Sequence, residues 1–225
     1  MKRTRLIDLG VASYVPVWRQ QEELHNEIIA AKLRGEETGN CMMFVEHNHV
    51  YTLGKSGNEA NMLVSAIQLQ AAHAEFVKVN RGGDITYHGP GHLVVYPIID
   101  LPYFGGGLNQ PVHLLEFLVP RTVGVLGITG ERLEGATGVW LDAHTPQARK
   151  ICAIGIKCSR YVTMHGFALN VNTDLNYFNY INPCGFVDKG VTSIAKEEGA
   201  EHTVAEVKTI VKKYFEEHFG MDFYI

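Results

Sequence analysis

The stretch Arg81-Gly82-Gly83-Asp84-Ile85-Thr86-Tyr87-His88-Gly89-Pro90-Gly91-His92 decides how this chain is interpreted. It holds four glycines in twelve residues and lies between two segments whose apolar patterns predict β-strands, 75–80 and 92–99. Glycine lets the backbone approach a ligand closely, and Arg81 and His88 add polar groups. A plain glycine-rich hairpin stays as the alternative, but it would not need so many polar and aromatic side chains. The stretch therefore favours a ligand site over a simple turn.

Two better-known motifs fail against this sequence. Gly54-Lys55-Ser56 matches the end of a phosphate-binding loop, but His49 stands where the first glycine of that loop is required. The pair His88-x-x-x-His92 has the spacing of helical zinc ligands, yet Gly89-Pro90-Gly91 between them excludes a helix. Neither this pair nor His47-x-His49 is completed by a carboxylate or cysteine set, so we expect no metal site.

The remaining pattern predicts one α+β domain over residues 1–225. Helices are expected mainly near the ends of the chain and strands in the middle. The predicted strands are 6–12, 41–46, 75–80, 92–99, 135–142, 150–157 and 167–171. The predicted helices are 16–34, a short one capped by Ser65 that ends at 72, one starting at 109–111 that Pro120 should kink or split, and one capped by Thr203 and Glu206 that Gly220 ends. Residues 105–107 read as a flexible loop.

Composition and charge exclude several classes of protein. The chain has 225 residues, a hydrophobic fraction of 46% and a net charge of −4, which argues against general nucleic-acid binding. No signal-peptide pattern and no run of about 18 apolar residues is found. The four cysteines form no C-x-x-C pair and no structural-zinc spacing. We therefore expect a cytoplasmic protein with reduced thiols and no membrane or nucleic-acid partner.

One cysteine and one lysine are candidates for chemistry. Cys184 lies in the turn Pro183-Cys184-Gly185, which exposes a thiol, whereas Cys41, Cys152 and Cys158 lie in apolar runs typical of packing. Lys150 begins an apolar strand, where partial desolvation would lower its pKa and let it act as a base. A surface lysine at a strand end is the competing interpretation. His165, with Asn170 in a Cys/His/Asn arrangement, is a rival base.

Three blocks of sequence, in this order, resemble the lipoyl(octanoyl) transferase family over nearly the whole chain. They are Arg81 to Gly91, then Lys150-Ile151-Cys152-Ala153-Ile154-Gly155, then His165-Gly166-Phe167-Ala168-Leu169-Asn170-Val171 followed by Pro183-Cys184-Gly185. Glu46-His47 and Tyr51-Thr52-Leu53-Gly54 also look like the family's early strand and turn. The resemblance implies a biotin/lipoate protein ligase-like fold, in which a single α+β domain has a larger mixed sheet, a smaller sheet and flanking helices.

The same resemblance implies a function in lipoate biosynthesis. An octanoyl group would pass from octanoyl-acyl carrier protein, through a thioester on Cys184, to a lysine of the lipoyl domains of 2-oxoacid dehydrogenases or of the glycine cleavage H protein. Lys150 would depress the thiol pKa and handle the proton, and no cofactor would be needed. The residues implied to line the acyl pocket are Arg81, Gly82, Gly83, Asp84, Ile85, Thr86, Tyr87, His88, Ala153, Ile154, Gly155, Gly166, Phe167 and Ala168.

Three other activities stay open at this point. They are an ATP-dependent lipoate or biotin ligase on the same fold, an amidotransferase that moves octanoyl groups between lipoyl-bearing proteins, and a non-catalytic acyl-binding module. The sequence also departs from the family, with His92 where glutamine is usual and Cys152 where alanine is common. Because carrier proteins are acidic, we expect a local basic patch, for which Arg149, Lys157 and Arg160 are the candidates.

Overall fold

The computed structural model describes residues 2–104, 110–182 and 189–225. The described strands are β1 (Lys2–Ala12), β2 (Asn40–His47), β3 (Val50–Leu53), β4 (Glu75–Lys78), β5 (Ile85–His88), β6 (His92–Ile98), β7 (Glu131–Leu133), β8 (Ala136–Leu141), β9 (Arg149–Ser159), β10 (Val162–Asn170), β11 (Gly190–Val191) and β12 (Met221–Tyr224). The described α-helices are α1 (Tyr14–Leu33), α2 (Ala66–Ala71), α3 (Gln110–Gly124), α4 (Ile194–Glu198) and α5 (Val204–Phe219).

Most strands join one large mixed sheet. Its order is β12-β1-β2-β6-β10-β9-β8-β7, and β11 pairs with β9. The pairs β12–β1, β1–β2 and β11–β9 are parallel, and the remaining pairs are antiparallel. The central strands β6 and β10 are buried along their whole length, as near-continuous apolar runs predict. They lie side by side at the centre of the large sheet.

A smaller sheet in the order β4-β3-β5 lies apart from the large one. Strand β3 pairs in parallel with β4 and antiparallel with β5. The turn before β5 is fastened to both sheets, because Lys55 N–H donates to Arg81 O at 2.9 Å and Gly82 N–H donates to Ile156 O on β9 at 3.2 Å. The glycine-rich stretch is thus the bridge between the two sheets.

Apolar side chains cover both faces of the large sheet. Helices α3 and α5 pack against one face through residues such as Leu118, Val123 and Val211, and α1 packs against the other through Val17 and Ile28. Burial of these side chains is the main source of stability for such a layered domain. Among the described residues, none of the helices combines the length and the apolar character that a membrane crossing needs.

Several predicted elements are confirmed close to their predicted ends. The caps of the short and the last predicted helices are present: Ser65 and Thr203 each accept from the backbone N–H three residues on, and Gly220 ends α5 at φ +64°. Strand β6 ends one residue beyond Pro97, which pairs with Met42. The loop expected at 105–107 lies outside the described residues.

Other expectations need correction. The expectation that Pro120 could split its helix is wrong: α3 is a single helix across Pro120, because the buried side chains of Leu118, Val119 and Val123 hold both halves against the sheet. The predicted strand 167–171 begins earlier, at Val162, and includes His165 in a left-handed conformation with φ +62°. Strands β7, β11 and β12 are too short or too polar to be found from periodicity.

Candidate active site

A cavity of about 350 Å³ lies between the glycine-rich segment and the face of the large sheet formed by β6, β10 and β9. This volume is in the range of about 300–1,000 Å³ that small-molecule sites occupy. The predicted pocket residues that line it are Arg81, Gly83, Asp84, Ile85, Thr86, His88, Ala153, Ile154, Gly155, Gly166, Phe167 and Ala168. The three blocks that are far apart in sequence thus meet on one cavity, and their role in binding a substrate stays a prediction.

Two of those blocks are direct neighbours in the sheet. In the β9–β10 ladder, Ala153 pairs with Ala168 and Gly155 pairs with Gly166. Because side chains alternate along a strand, the four small residues lie on one face. In the β10–β6 ladder Val94 pairs with Ala168, which extends that face with an apolar side chain. The result is a smooth strip of backbone and methyl groups along the cavity floor.

The glycines of this strip serve the packing of the chain as much as the cavity. A Cβ on Gly166 would lie 2.0 Å from Val95 O, and a Cβ on Gly155 would lie 2.9 Å from Gly82 O. Both distances are too short for any side chain, so the neighbouring backbone requires glycine here. Gly155 and Gly166 are therefore required by the packing of the strands, whether or not they also contact a ligand.

Two predicted pocket residues lie off the cavity wall. Gly82 faces β9, where its N–H bonds Ile156 O. Tyr87 is fully buried in the core of the smaller sheet, and its hydroxyl lies 2.6 Å from His49 Nδ1. Both residues hold the glycine-rich segment in place from behind.

Lys150 is buried, with 7% of its surface exposed, and it lines the cavity. Its Nζ donates to Thr137 O at 3.1 Å and lies 4.7 Å from the centre of a ring of Trp140. A cation over an indole face is stabilised by the ring quadrupole. The surface interpretation of Lys150 is therefore wrong, and its ammonium group is held at the edge of the cavity.

Cys184 lies outside the described residues, which stop at Asn182 and resume at Lys189. Strand β11 follows at once, with Gly190 paired to Arg149 and Val191 paired to Lys150. Val191 lines the cavity, and Thr192 N–H donates to Lys150 O at 3.0 Å. The chain that leaves the cysteine segment is therefore anchored directly beside Lys150.

The three described cysteines are free and unsuited to nucleophilic attack. Burial raises the pKa of Cys41 to about 11 and raises that of Cys152 further. Burial also raises the pKa of the partly exposed Cys158. A raised pKa keeps the thiol protonated at neutral pH, and the thiolate is the nucleophile. These three residues pack, as their apolar surroundings predict.

A cluster of buried rings forms one part of the cavity wall. Tyr14 stacks on His88 with ring centres 5.9 Å apart, and His88 lies 5.4 Å from His92. Burial lowers the pKa of His92 to about 4 and holds that of His88 well below its usual value. Both imidazoles are therefore neutral at pH 7, and each offers one donor and one acceptor.

The rival base His165 also lines the cavity. Its Nε2 lies 2.8 Å from Asn80 Oδ1, and burial lowers its pKa to about 3. A base with so low a pKa takes up a proton poorly at neutral pH. Asn170, its suggested partner, instead donates from Nδ2 to Thr192 O at 2.9 Å. The low pKa therefore argues against His165 as the proton carrier.

Arg81 is the second buried cation of the wall. Its Nη2 donates to Thr52 O at 2.6 Å and to Thr52 Oγ1 at 2.9 Å, and its Nη1 donates to Gly82 O at 3.0 Å. These bonds fix the start of the glycine-rich segment against β3. Among the described residues, no group of three or more histidines, cysteines or carboxylates is placed to hold a metal ion.

Sequence reasoning missed several wall residues. They are Tyr14, Tyr96, Thr137, Phe178 and Val191. Tyr14 begins a helix, and Phe178 lies in a single 3-10 turn, Leu175–Tyr180, so neither carried a motif. The block pattern could have found Tyr96, since it lies on the same strand and face as Val94.

The expected basic patch is only partly present. Arg149 forms ion pairs with Glu197, at 2.6 Å, and with Asp142. Its charge is therefore compensated within the protein. Lys157 and Arg160 lie at the far end of β9 and in the turn after it, and Arg160 is exposed.

Comparison with known proteins agrees with this geometry. Residues 13–216 match the model of the lipoyl protein ligase A/B catalytic domain. The octanoyltransferase of Bacteroides thetaiotaomicron is 54% identical over 206 residues, which are 92% of this chain and 91% of that protein.

Solved structures share the fold at low identity. The bipartite lipoate protein ligase of Thermoplasma acidophilum, solved with its E2 lipoyl domain, aligns with a TM-score of 0.70 at 16% identity, covering 100% of this chain and 86% of that one. Biotin protein ligase from Aquifex aeolicus, in complex with biotin and ATP, aligns with a TM-score of 0.53 at 15% identity, covering 98% and 71%. The predicted ligase-like α+β fold is thereby confirmed.

Proposed function

This chain belongs to the lipoyl protein ligase A/B catalytic domain family and is an octanoyltransferase of protein lipoylation, and on that premise we propose that it works through a thioester on Cys184 with Lys150 as proton carrier. The observation that carries the proposal is the pairing of β11 with Arg149 and Lys150. It ties the chain that follows Cys184 to the only lysine found on the described cavity wall.

The chemistry follows from these two groups. Lys150 holds the thiol proton as its ammonium group, and the Cys184 thiolate attacks the carbonyl carbon of the donor thioester. The donor carbon–sulfur bond breaks, and the leaving thiolate takes its proton from the Lys150 ammonium. In the second half, the acceptor lysine amine attacks the acyl-enzyme, Cys184 leaves as thiolate, and Lys150 accepts the proton of the new amide nitrogen.

We propose octanoyl-acyl carrier protein as donor. As acceptors we propose the lipoyl domains of 2-oxoacid dehydrogenases and the glycine cleavage H protein. The E2 lipoyl domain that accompanies the Thermoplasma ligase supports a lipoyl-domain acceptor for this fold. Exchange between two thioesters is nearly isoenergetic, and amide formation from a thioester is favourable. The cycle therefore needs no nucleotide.

Intact-mass analysis tests the thioester. Incubation with octanoyl-acyl carrier protein should add one octanoyl group that hydroxylamine removes, and Cys184→Ala should abolish the adduct. Cys158→Ser is the matched control, because Cys158 is the most exposed of the described thiols, and it should acylate like wild type. A stable adduct on Cys184→Ala, located at another cysteine, would contradict the assignment.

A second assay separates this enzyme from a ligase on the same fold. Octanoyl transfer to a lipoyl domain is measured with the acyl carrier donor, and separately with free octanoate and ATP. We expect product only in the first reaction. Product that requires ATP and free octanoate, without an acylated cysteine, would identify a ligase instead.

A further inference from the structure

The cavity contains a polar corner that the proposed chemistry leaves unused. It is formed by His88, His92 and Asn170, which are 5%, 1% and 4% exposed and all line the cavity. His92 and Asn170 are paired residues of the β6–β10 ladder, so they lie side by side on the cavity face. We call these three residues the polar corner.

Its buried polar atoms lack partners. Among the described residues, no hydrogen-bond partner is found for His92 Nδ1, His92 Nε2, His88 Nδ1 or Asn170 Oδ1. The Ala168 backbone lies near the His92 ring, but the two are not placed to form a hydrogen bond. Unpaired buried polar atoms are costly, so a cavity wall that carries several of them is built for a polar ligand group or for water.

The position of the corner distinguishes the two ends of an acyl substrate. Val94 and the Ala153–Ala168 pair form the apolar strip next to it, which suits methylene groups. Asn170 Nδ2 donates to Thr192 O, and Thr192 N–H in turn donates to Lys150 O. The polar corner is therefore joined by two hydrogen bonds to the backbone of the candidate proton carrier.

We infer that the polar corner binds the carbonyl oxygen of the acyl thioester, with an N–H of His92 as the donor, while the hydrocarbon chain lies on the apolar strip. This inference rests on the proposed octanoyl transfer and adds a substrate-positioning residue to it. His92 gives up no proton: its hydrogen bond strengthens as the oxygen gains negative charge in the tetrahedral intermediate. A neutral imidazole suits this role because it always keeps one N–H.

A binding cycle with two substrate analogues tests the contact without any reaction. One analogue is the octanoyl ketone of pantetheine, which keeps the carbonyl but replaces the thioester sulfur by CH2. The other is the octyl thioether, which lacks the carbonyl. Calorimetry with wild type, His92→Leu and His92→Gln gives the affinity of each protein for each analogue. Thermal unfolding of all three proteins checks that they are folded.

We expect wild type and His92→Gln to bind the ketone about 5–10-fold more tightly than the thioether, and His92→Leu to show no such preference. In wild type, the infrared band of a carbonyl-labelled ketone should lie below its position in water-free solvent. The inference would be overturned if His92→Leu lost affinity equally for both analogues. An unshifted carbonyl band of the ketone in wild type would overturn it as well. Failure of the thioester mechanism is read separately, as absence of an octanoyl adduct on wild type.

Discussion

Two buried cations line the same cavity and are held in different ways. Arg81 and Lys150 are 8% and 7% exposed. The described hydrogen bonds of Arg81 run from three guanidinium nitrogens to Thr52 and Gly82. Those of Lys150 run from one nitrogen to Thr137 O, with the Trp140 ring beside it.

We propose that Arg81 is a structural cation and that Lys150 takes part in the chemistry. A guanidinium stays protonated in proteins, and its planar fork fixes direction, so Arg81 can fasten the glycine-rich segment but cannot carry a proton. A lysine amine is a compact group on a flexible stem that both gives and takes a proton. The two residues lie on the same cavity wall, but the chemistry of their side chains suits them to different roles.

Replacement of Lys150 should have the largest effect on the rate of octanoyl transfer. A small effect would contradict the distinction between Lys150 and Arg81. Lys150→Met removes the proton carrier, so the rate of octanoyl transfer should fall by roughly 10²–10⁴-fold. The rate should fall as far in Lys150→Arg, because arginine keeps the charge but cannot release the proton. The rates are measured as acyl-enzyme formation and as modification of a lipoyl domain.

Lys213→Met is the matched control, since Lys213 is exposed on α5 and does not lie on the cavity wall. It should leave the transfer rate within about twofold of wild type, as surface substitutions usually do. Near wild-type transfer by Lys150→Arg would show that charge, and not proton transfer, is what this position supplies.

Replacement of Arg81 should act mainly on stability. Arg81→Met leaves Thr52 O and Gly82 O without their charged donor, and hydrogen bonds to charged groups contribute about 1.5–3 kcal/mol. We expect the free energy of unfolding in urea to fall by about 2–3 kcal/mol, with a smaller loss of transfer rate than in Lys150→Met. A fully stable Arg81→Met protein without transfer activity would place Arg81 in the chemistry instead.

Much of the cavity wall could be predicted from the sequence, because the groups of residues that form it are short and local. Arg81 to His88, Ala153 to Gly155 and Gly166 to Ala168 carry unusual residue types in fixed order, and most of them reach the cavity. The reasons for their glycines were not readable, since the close approach of Val95 O to Gly166 depends on strand pairing. Tyr14 and Phe178 could not be found either, because only the tertiary fold brings them there.

The fold shows the same division. The last helix was predicted with both ends, since its capping box and closing glycine are local signals. Pro120 does not split its helix, because burial of its neighbours outweighs the local cost of a proline. Strand β10 was cut short because His165 and Gly166 interrupt its apolar pattern, although the whole strand is buried.

Low pH should reduce the stability of the protein, because its buried histidines are neutral in the folded state. Burial lowers the pKa of His47 and His92 to about 4 and that of His165 to about 3 in the folded protein. The unfolded chain has histidines near pKa 6.5, so it binds more protons below that pH. Stability is therefore fully present above pH 6.5 and falls as the pH drops toward 4, by up to about 1.4 kcal/mol per pH unit for each histidine.

Urea unfolding between pH 8 and pH 4.5 measures this slope. His92→Gln removes one of the titrating groups and should flatten the curve below pH 6.5 while leaving the fold intact. Identical slopes in wild type and His92→Gln would mean that His92 has the same pKa in the folded and in the unfolded protein, so that burial does not hold its imidazole neutral.

The smallest effect is expected from replacing the cations that lie outside the cavity, Arg149, Lys157 and Arg160. Arg149 is already paired with Glu197 and Asp142, so its charge is compensated, whereas Lys157 lies near the far end of β9 and the exposed Arg160 lies in the turn after it. If these two residues attract an acidic carrier protein, Lys157→Glu with Arg160→Glu should raise KM for the carrier a few-fold and weaken its salt dependence, with kcat unchanged. Arg149→Gln should instead lower stability and leave the salt dependence of KM unchanged. The reverse pattern would move the docking surface to the Arg149 side of the sheet.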